Sequence, residues 1–307
     1  MSKIEKALNK ARTSGGLRVI SPQPVPSNDA SAGGNVTALL EQRASASEAI
    51  ARMREKAPLD KQTLSLNRII YPELGESPTV RAFREIRTKI IQKSQGQNCA
   101  IMVTSVTGGG GSSFVALNLG VAFAFDVGKT ALVLDCNFKN PSLHRLFGAG
   151  TYHGLTDYLE NTDMDVGEII HPVGVERLRV IPSGGRREIA AEYFTSHKMK
   201  RMLDSVKQRY RERYIIIDAP PMTESADTQI LAELCDYVLV VVPYGRVTDS
   251  QISACAKAVS DKKLIGVVFN DEPVLPDLKW SEILKNPFAA LRRVFPPSDK
   301  KQQVKKK

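Results

Sequence analysis

The sequence has little that would place the chain in a membrane or outside the cell. No apolar run approaches the roughly 20 residues that span a bilayer, and the opening MSKIEKALNKAR carries charges where a signal peptide needs an apolar stretch. Cysteine is scarce, and Cys99, Cys136, Cys235 and Cys255 show no C-x-x-C spacing, so neither a zinc site nor a disulfide framework is indicated. We therefore expect a cytoplasmic chain with reduced thiols and no membrane span of its own.

Excess charge is also missing from most of the chain. The net charge of +10 is concentrated beyond residue 278, where nine basic residues face two acidic ones. The near balance elsewhere predicts no nucleic-acid partner. Because Trp280 and Phe288 lie among the basic residues, we expect 273–307 to form a basic amphipathic tail that binds an anionic membrane surface. The alternative is that this tail packs on its own domain and leaves its end solvated.

Composition divides the rest of the chain into three segments. Residues 1–13 predict a docking helix, because Ser2 and Glu5 form a capping-box pair ahead of regularly spaced apolar residues. Residues 14–70 begin with a stretch rich in Ser, Gly and Pro and predict a flexible linker containing a weak helix over 37–57. The globular domain is predicted over 71–272.

Within that domain, short apolar runs alternate with stretches of helical length. The predicted strands are 100–104, 130–134, 178–181, 214–217, 237–242 and 264–269, and the predicted helices are 114–125, 196–211, 227–234 and 248–259. Continuously apolar strands alternating with helices indicate a mainly parallel sheet covered on both faces. The predicted fold is therefore a doubly wound α/β domain, in which ligands bind at the carboxyl ends of the strands.

The first of these strands runs into a glycine loop, VTSVTGGGGSSF, followed by a helix. A strand, a glycine loop and a helix N-terminus together form a phosphate-binding loop, so Gly108, Gly109, Gly110 and Gly111 are predicted to bind nucleotide phosphates. In the pattern G-x-x-x-x-G-K-[ST], Ser112 stands where the lysine belongs, and Ser113 supplies the hydroxyl that binds Mg²⁺. A plain flexible turn is the alternative for the four glycines.

Acidic residues end two further strands. Asp135 follows the strand ALVL, and Asp218 follows the strand YIII, as in the Walker B arrangement in which a carboxylate holds Mg²⁺ directly or through water. Ser113, Asp135 and Asp218 are thus the predicted metal ligands, and the two aspartates are the candidate catalytic residues if the protein is active.

Taken together, these segments resemble the bacterial tyrosine kinases of capsule and exopolysaccharide biosynthesis, which are related to Min and partition ATPases. The opening MSKIEKALNKAR resembles the N-terminus of the exosortase-associated members of that family. The resemblance covers 71–270 and rests on TVRAFREIRTKI, SVTGGGGSS, DCNFKNPSLHRLFG, GLTDYL, IPSGG, IIIDAPP, YVLVVVP and GVVFN. It implies a P-loop NTPase-like fold, with ATP and Mg²⁺ as cofactors. It also places Ser112, Ser113 and Asn270 among the residues that bind the cofactor.

The sequence departs from this family at the positions that carry charge. Ser112 replaces the loop lysine, Asn137 replaces a second aspartate, and Lys139 replaces an arginine. No tyrosine follows Tyr244 in this sequence, so we expect no counterpart of the family's C-terminal acceptor cluster within these residues. A replacement cation could come from Lys129 or Lys139, although each is more often a solvated lysine.

The resulting prediction is a tyrosine-kinase-like protein that binds Mg–ATP weakly, transfers phosphate poorly or not at all, and regulates exopolysaccharide assembly. Its expected partner is a membrane chain-length or export protein, which would hold it at the inner membrane. The resemblance also implies a homo-oligomer, because Arg84 and Arg87 of the family's assembly helix remain, although Arg81 replaces its acidic residue. The alternatives are an active autokinase that phosphorylates other tyrosines, such as Tyr244, and a Min-like positioning ATPase anchored by the tail.

Overall fold

The computed structural model describes residues 19–20, 50, 53, 55–75, 77–147 and 152–271. Within these residues, eight strands form a single sheet. They are β1 (Val19–Ile20), β2 (Ala100–Ser105), β3 (Thr130–Asp135), β4 (His171–Pro172), β5 (Leu178–Ile181), β6 (Arg213–Asp218), β7 (Tyr237–Pro243) and β8 (Leu264–Asn270). The described helices are α1 (Lys61–Leu66), α2 (Pro78–Lys93), α3 (Ser112–Ala124), α4 (Leu155–Glu160), α5 (Ala191–Thr195), α6 (His197–Arg209), α7 (Asp227–Glu233) and α8 (Asp249–Ala258).

The order of the strands in space is β1-β8-β7-β2-β6-β3-β5-β4. All pairs from β8 to β5 are parallel, whereas β1 and β4 add antiparallel edges. The central strand β2 lies between β6 and β7, with the chain winding outward to β3 on one side and to β8 on the other. In such a sheet a ligand is expected at the carboxyl end of the strand where the winding reverses, which here is β2.

Alternate side chains of each strand enter two separate cores. Met102 and Leu132 face a core shared with α6, α7 and α8, whereas Ile101 and Val133 face a core shared with α1, α2 and α3. Both faces of the sheet are therefore covered by helices, and this is why the strands read as continuous apolar runs. Among the described residues, no helix is both long enough and apolar enough to cross a bilayer.

Side-chain caps fix where several helices begin. Ser77 accepts a hydrogen bond from the Val80 N–H ahead of α2, and Ser196 accepts one from the Met199 N–H ahead of α6. Helix α3 starts without a side-chain cap, because Gly111 occupies that position and leaves its first N–H groups open. This uncapped start lies at the glycine loop, where a phosphate would need those donors.

Helix α3 lies very close to the sheet. A Cβ atom at Gly120 would be 2.6 Å from Cγ2 of Val133 on β3, and 3.1 Å from Cδ1 of Leu178 on β5. Only glycine allows this approach, which fixes the height of α3, and hence of the loop before it, over the strand ends.

Residues 55–70 differ from the predicted flexible linker. Ile69 and Ile70 are 2% and 3% exposed, and the side chain of Asn118 on α3 accepts a hydrogen bond from the Ile70 N–H at 2.8 Å. Its amide also donates to the Arg68 carbonyl at 3.0 Å. The sequence does not predict this packing, because α1 has only six residues and the burial of Ile69 and Ile70 depends on a distant partner. The packed part of the chain therefore starts before the predicted boundary at Tyr71.

The doubly wound, mainly parallel α/β fold is confirmed, as are all six predicted strands, to within one or two residues at each end. The sequence did not predict β1, β4, α4 or α5, because each is too short to show a periodic pattern. The docking helix over 1–13, most of the linker and the tail over 273–307 lie outside the described residues.

Candidate nucleotide site

The glycine loop, residues 106–111, connects the carboxyl end of β2 to α3. Gly109 and Gly111 adopt φ of +67° and +91°, in the left-handed region that favours glycine. A Cβ atom at Gly110 would lie 2.7 Å from Cβ of Ser105. Three of the four glycines are thus required by backbone conformation or by close packing. A turn built in this way is what a phosphate-binding loop needs.

Asn270, the last residue of β8, closes on the loop from one side. Its side-chain amide donates to the Gly110 carbonyl at 3.1 Å, and a Cβ atom at Gly111 would lie 2.2 Å from that amide nitrogen. Asn270 therefore holds the loop backbone in place. Its predicted contact with a nucleotide stays a prediction.

The segment after β6 runs beside the loop on its other side. The Met222 N–H donates to the Ser105 carbonyl at 2.9 Å, and the Thr223 hydroxyl donates to the Val106 carbonyl at 2.6 Å. The next residue, Glu224, accepts a hydrogen bond from the Gly108 N–H at 2.5 Å through Oε1. A carboxylate oxygen of the chain therefore lies on a loop N–H that a bound phosphate could use.

The position of the missing lysine is occupied by a buried serine. Ser112 is 6% exposed at the start of α3, and Ser113 beside it is half-buried. Lys129 cannot replace the lysine, because it precedes β3 and its Nζ lies 5.1 Å from the ring centroid of Tyr214, near the start of β6. The amino and carboxyl ends of a six-residue strand are about 17 Å apart. Proposing Lys129 as a replacement was therefore wrong, whereas Lys139, beyond the carboxyl end of β3, stays a candidate.

Asp135 is fully buried at the end of β3, and its carboxylate is already occupied by backbone donors. Oδ1 accepts from the Asn137 N–H at 3.2 Å, and Oδ2 accepts from the N–H groups of Ser142 and Leu143 at 2.9 and 3.0 Å. Burial raises the pKa of Asp135, although these three donors favour the ionised form and oppose that shift. Its first role is thus to shape the turn after β3.

Asp218 lies opposite Asp135 on the adjacent strand β6, and its surroundings are different. It is 0% exposed, and neither carboxylate oxygen has a hydrogen-bond partner among the described residues. Burial raises its pKa well above the usual value, and the neighbouring Asp135 raises it further. The hydroxyls of Ser113 and Ser112 lie near enough to oppose this rise in pKa by weak hydrogen bonding, although neither reaches the geometry of an ordinary hydrogen bond, so Asp218 adjoins the first turn of α3.

An unpartnered buried carboxylate beside a phosphate-type loop fits a divalent cation. Asp218 and the Ser113 hydroxyl would hold Mg²⁺, which in P-loop enzymes neutralises phosphate charge. Asp135 has little free acceptor capacity left for this role. The described residues contain no cluster of three or more His, Cys, Asp or Glu side chains that could hold a metal. Mg²⁺ would therefore take further ligands from the nucleotide and water.

Arg246 approaches the loop from the turn after β7. One guanidinium nitrogen donates to the Gly109 carbonyl at 3.3 Å, and another forms an ion pair with Asp271, just past β8. The sequence reasoning missed Arg246, Glu224 and Asp271. One signal could have found them, because each follows the carboxyl end of a predicted strand by a few residues, at the edge where a doubly wound sheet binds its ligand.

Comparison with known proteins agrees with this geometry. A family model described as ParA, NUBPL iron-transfer P-loop NTPase, matches residues 97–272. The tyrosine-protein kinase CpsD of Streptococcus agalactiae is 32% identical over 195 residues, covering 62% of this chain and 82% of CpsD. The putative tyrosine-protein kinase EpsB of Ralstonia solanacearum is 29% identical over 205 residues, covering 66% of this chain and 27% of EpsB.

Among solved structures, the crystal structure of the chimerical protein CapA2B2 matches with a TM-score of 0.59 and 26% identity, over 75% of this chain and 99% of the other. The family match includes β2, the glycine loop and every later strand of the sheet, and most of CpsD aligns with the chain. The chain therefore belongs to the ParA-type P-loop NTPases and, among them, to the family of bacterial tyrosine-protein kinases.

Proposed function

We propose that the chain is a kinase-like regulator of exopolysaccharide or capsule biosynthesis and export, which binds Mg–ATP weakly and transfers its phosphate poorly or not at all. The observation that carries this proposal is Ser112, a buried neutral residue at the position of the phosphate-binding lysine. Asn137 supports it, because an amide replaces a carboxylate at the second Walker segment.

The missing charge is large enough to matter. A unit charge about 4 Å from a phosphate oxygen contributes roughly 4 kcal/mol at an effective dielectric constant near 20. A serine hydroxyl can donate one hydrogen bond, which contributes far less to binding and cannot neutralise charge that develops on a transferred phosphoryl group. Phosphoryl transfer depends mainly on such electrostatic stabilisation, so its rate should fall more than the affinity for ATP.

The proposed setting is the cytoplasmic face of the inner membrane, beside a membrane protein that controls the length or export of the polysaccharide. The family supports this setting. In EpsB the matched part is 27% of a longer chain, so a kinase-like part is there joined to further sequence. Here the docking helix over 1–13 and the basic tail over 273–307 are the proposed means of reaching the partner and an anionic membrane.

The test is labelling of the purified full chain with ATP that carries a γ-phosphate label, in Mg²⁺ buffer. We expect no phosphotyrosine on the unmodified chain. The Ser112→Lys, Asn137→Asp double variant should gain affinity for a fluorescent ATP analogue, because it restores the cation and the second carboxylate. Ser112→Ala is the matched control and should gain none. Strong phosphotyrosine on the unmodified chain would refute the proposal of weak catalysis.

A second candidate function is an active autokinase that modifies Tyr244, and one observation favours it. Tyr244 is 51% exposed and follows β7 directly, and its N–H donates to the carbonyl of Asn270, which itself holds the glycine loop. An accessible phenol therefore lies at the edge of the candidate site. In the labelling experiment, Tyr244→Phe would remove the signal if this function were correct.

A further inference from the structure

Two side chains from different loops form hydrogen bonds with adjacent glycines of the glycine loop. Glu224, from the segment after β6, accepts the Gly108 N–H at 2.5 Å. Arg246, from the turn after β7, donates to the Gly109 carbonyl at 3.3 Å. A negative and a positive group thus meet the loop at the positions where an anionic ligand and its neutralising cation would be expected.

The contact of Glu224 resembles that of a bound anion. A carboxylate oxygen on a loop N–H makes the same charge-assisted hydrogen bond as a phosphate oxygen. A Cβ atom at Gly108 would lie 2.5 Å from the same carboxylate oxygen, so the glycine at this position leaves room for the carboxylate to approach the loop.

Arg246 brings a positive charge to this loop. A guanidinium stays charged at all physiological pH values and can pair with two phosphate oxygens at once. Its present partners are a neutral carbonyl and the half-exposed carboxylate of Asp271. If Arg246 exchanges its ion pair with Asp271 for a contact with a phosphate, one charge-assisted hydrogen bond replaces another.

Asp218 is an independent sign that this region receives a ligand. Its carboxylate is fully buried, has no partner among the described residues and adjoins Ser113 at the start of α3. A buried polar group left without a partner is uncommon and calls for an unseen ion or ligand. No hydrogen bond joins Asp218 to Glu224 or Arg246 among the described residues, so its lack of a partner is a separate observation from the contacts of those two side chains.

We propose that Arg246 replaces the missing lysine as the cation that binds the nucleotide phosphates, and that Glu224 occupies the phosphate position until the nucleotide displaces it. This inference rests on the proposed function, because it concerns the same nucleotide site. The phosphate oxygens take over the Gly108 N–H from Glu224, and Arg246 exchanges Asp271 for the phosphate. The affinity for the nucleotide is then weak, because two intramolecular contacts, Glu224 with Gly108 and Arg246 with Asp271, must be broken first.

The experiment measures binding of a fluorescent ATP analogue to the full chain with Mg²⁺, and its displacement by inorganic tripolyphosphate. Arg246→Gln should weaken binding about tenfold or more, since a hydrogen bond to a charged group is worth more than a decade of affinity. Glu224→Gln should strengthen binding by about three- to tenfold, because the competing negative charge is removed. Tripolyphosphate should show the same two changes, because the contacts are to phosphate.

The chain offers matched controls for both variants. Lys263 and Glu233 form an ion pair of 2.9 Å at the amino end of β8, the edge of the sheet opposite the glycine loop, so Lys263→Gln and Glu233→Gln change the same charges without touching that loop. Both should leave affinity within about twofold. Lys139→Gln tests the competing cation and should also have little effect. In a Ser112→Lys background, Arg246→Gln should weaken binding of the ATP analogue much less, because the lysine then supplies the positive charge.

Unchanged binding by Arg246→Gln, or a tenfold loss with Lys139→Gln instead, would overturn the assignment of Arg246. Unchanged binding by Glu224→Gln would overturn the role of Glu224. If the unmodified chain binds too weakly to measure, Glu224→Gln should bring binding into range, and Arg246→Gln is then added to that variant. Binding by Ser112→Lys but not by Glu224→Gln would overturn the inference and leave the proposed nucleotide site intact. If neither Ser112→Lys nor Glu224→Gln binds the ATP analogue, the proposal of a nucleotide site at this loop is itself wrong.

Discussion

Replacing Asp218 by asparagine should stabilise the protein in the absence of metal and nucleotide. Asp218 is 0% exposed, and its two carboxylate oxygens have no hydrogen-bond partner among the described residues. Its neighbour across the strand pair, Asp135, is also buried and acidic. The folded protein therefore either holds an unpaired charge there or binds a proton to avoid it, and both options cost free energy of unfolding at neutral pH.

The size of the effect follows from the same geometry. An unsatisfied buried polar group costs about 1–3 kcal/mol, and each pH unit by which a pKa is raised corresponds to about 1.4 kcal/mol. An amide carries no charge but still buries unpaired donors, so it recovers only part of this cost. We expect the free energy of unfolding to rise by about 2 kcal/mol near pH 8, which is about 4–8 °C in Tm for a domain of this size.

The pH dependence has a definite sign. Burial raises the pKa of Asp218 in the folded chain well above its value in the unfolded chain. Between those two values the folded state binds more protons than the unfolded state, so the stability of the unmodified protein falls as pH rises. Asp218→Asn lacks this titration. The difference between the two proteins should therefore be smallest near the unfolded pKa of about 3.9 and should grow with pH until the folded pKa is passed.

The assay is urea unfolding of both proteins across this pH range, in the presence of a metal chelator. Asp135→Asn is the matched control, because it removes the same charge from the adjacent strand. It should be destabilised, since Asp135 accepts three backbone N–H groups that an amide cannot all satisfy. Parallel pH profiles for Asp218→Asn and the unmodified chain, or a loss of stability from Asp218→Asn, would refute the reasoning.

Two further predictions concern how the loop is supported. Asn118→Ala should lower the free energy of unfolding by about 1–3 kcal/mol in urea, because it leaves the Ile70 N–H and the Arg68 carbonyl unpaired; unchanged hydrogen exchange at Ile70 would contradict this. Gly120→Ala should lower the free energy of unfolding by about 1–3 kcal/mol through overpacking, because its methyl group would lie 2.6 Å from a Val133 methyl group. An unchanged Tm would contradict this and show that α3 can shift away from the sheet.

The sheet could be predicted from the sequence because each central strand is buried on both faces. Runs such as YIII and YVLVVV are apolar throughout, and this is the pattern that two helical layers impose on a parallel strand. The edge elements lack that constraint. Strand β1 has two residues and is recognisable only by its pairing with Val267 and Val268, which lie almost 250 positions along the chain. Neither the periodicity nor the composition of the sequence predicts such a pairing.

The candidate site could be predicted from the sequence at the positions where the structure restricts which residue type can be present. Four successive glycines after a strand mark the loop, and acids directly after β3 and β6 mark the strand ends. The sequence did not show that the two acids differ, because it cannot tell that three N–H groups converge on Asp135 and none on Asp218. That difference depends on the turn at residues 136–143, whose course is set by the tertiary structure.

The proposed role of Arg246 shows why a missing motif residue is a poor guide to the charge of such a site. The carboxyl ends of β2, β6, β7 and β8 meet at one edge, so a cation can come from any loop there and need not belong to the glycine loop. A lysine inside the loop would be held by α3, whereas Arg246 has Asp271 as a second partner. Because that partner competes with the phosphate, a site built this way gives up affinity and makes binding dependent on three loops at once.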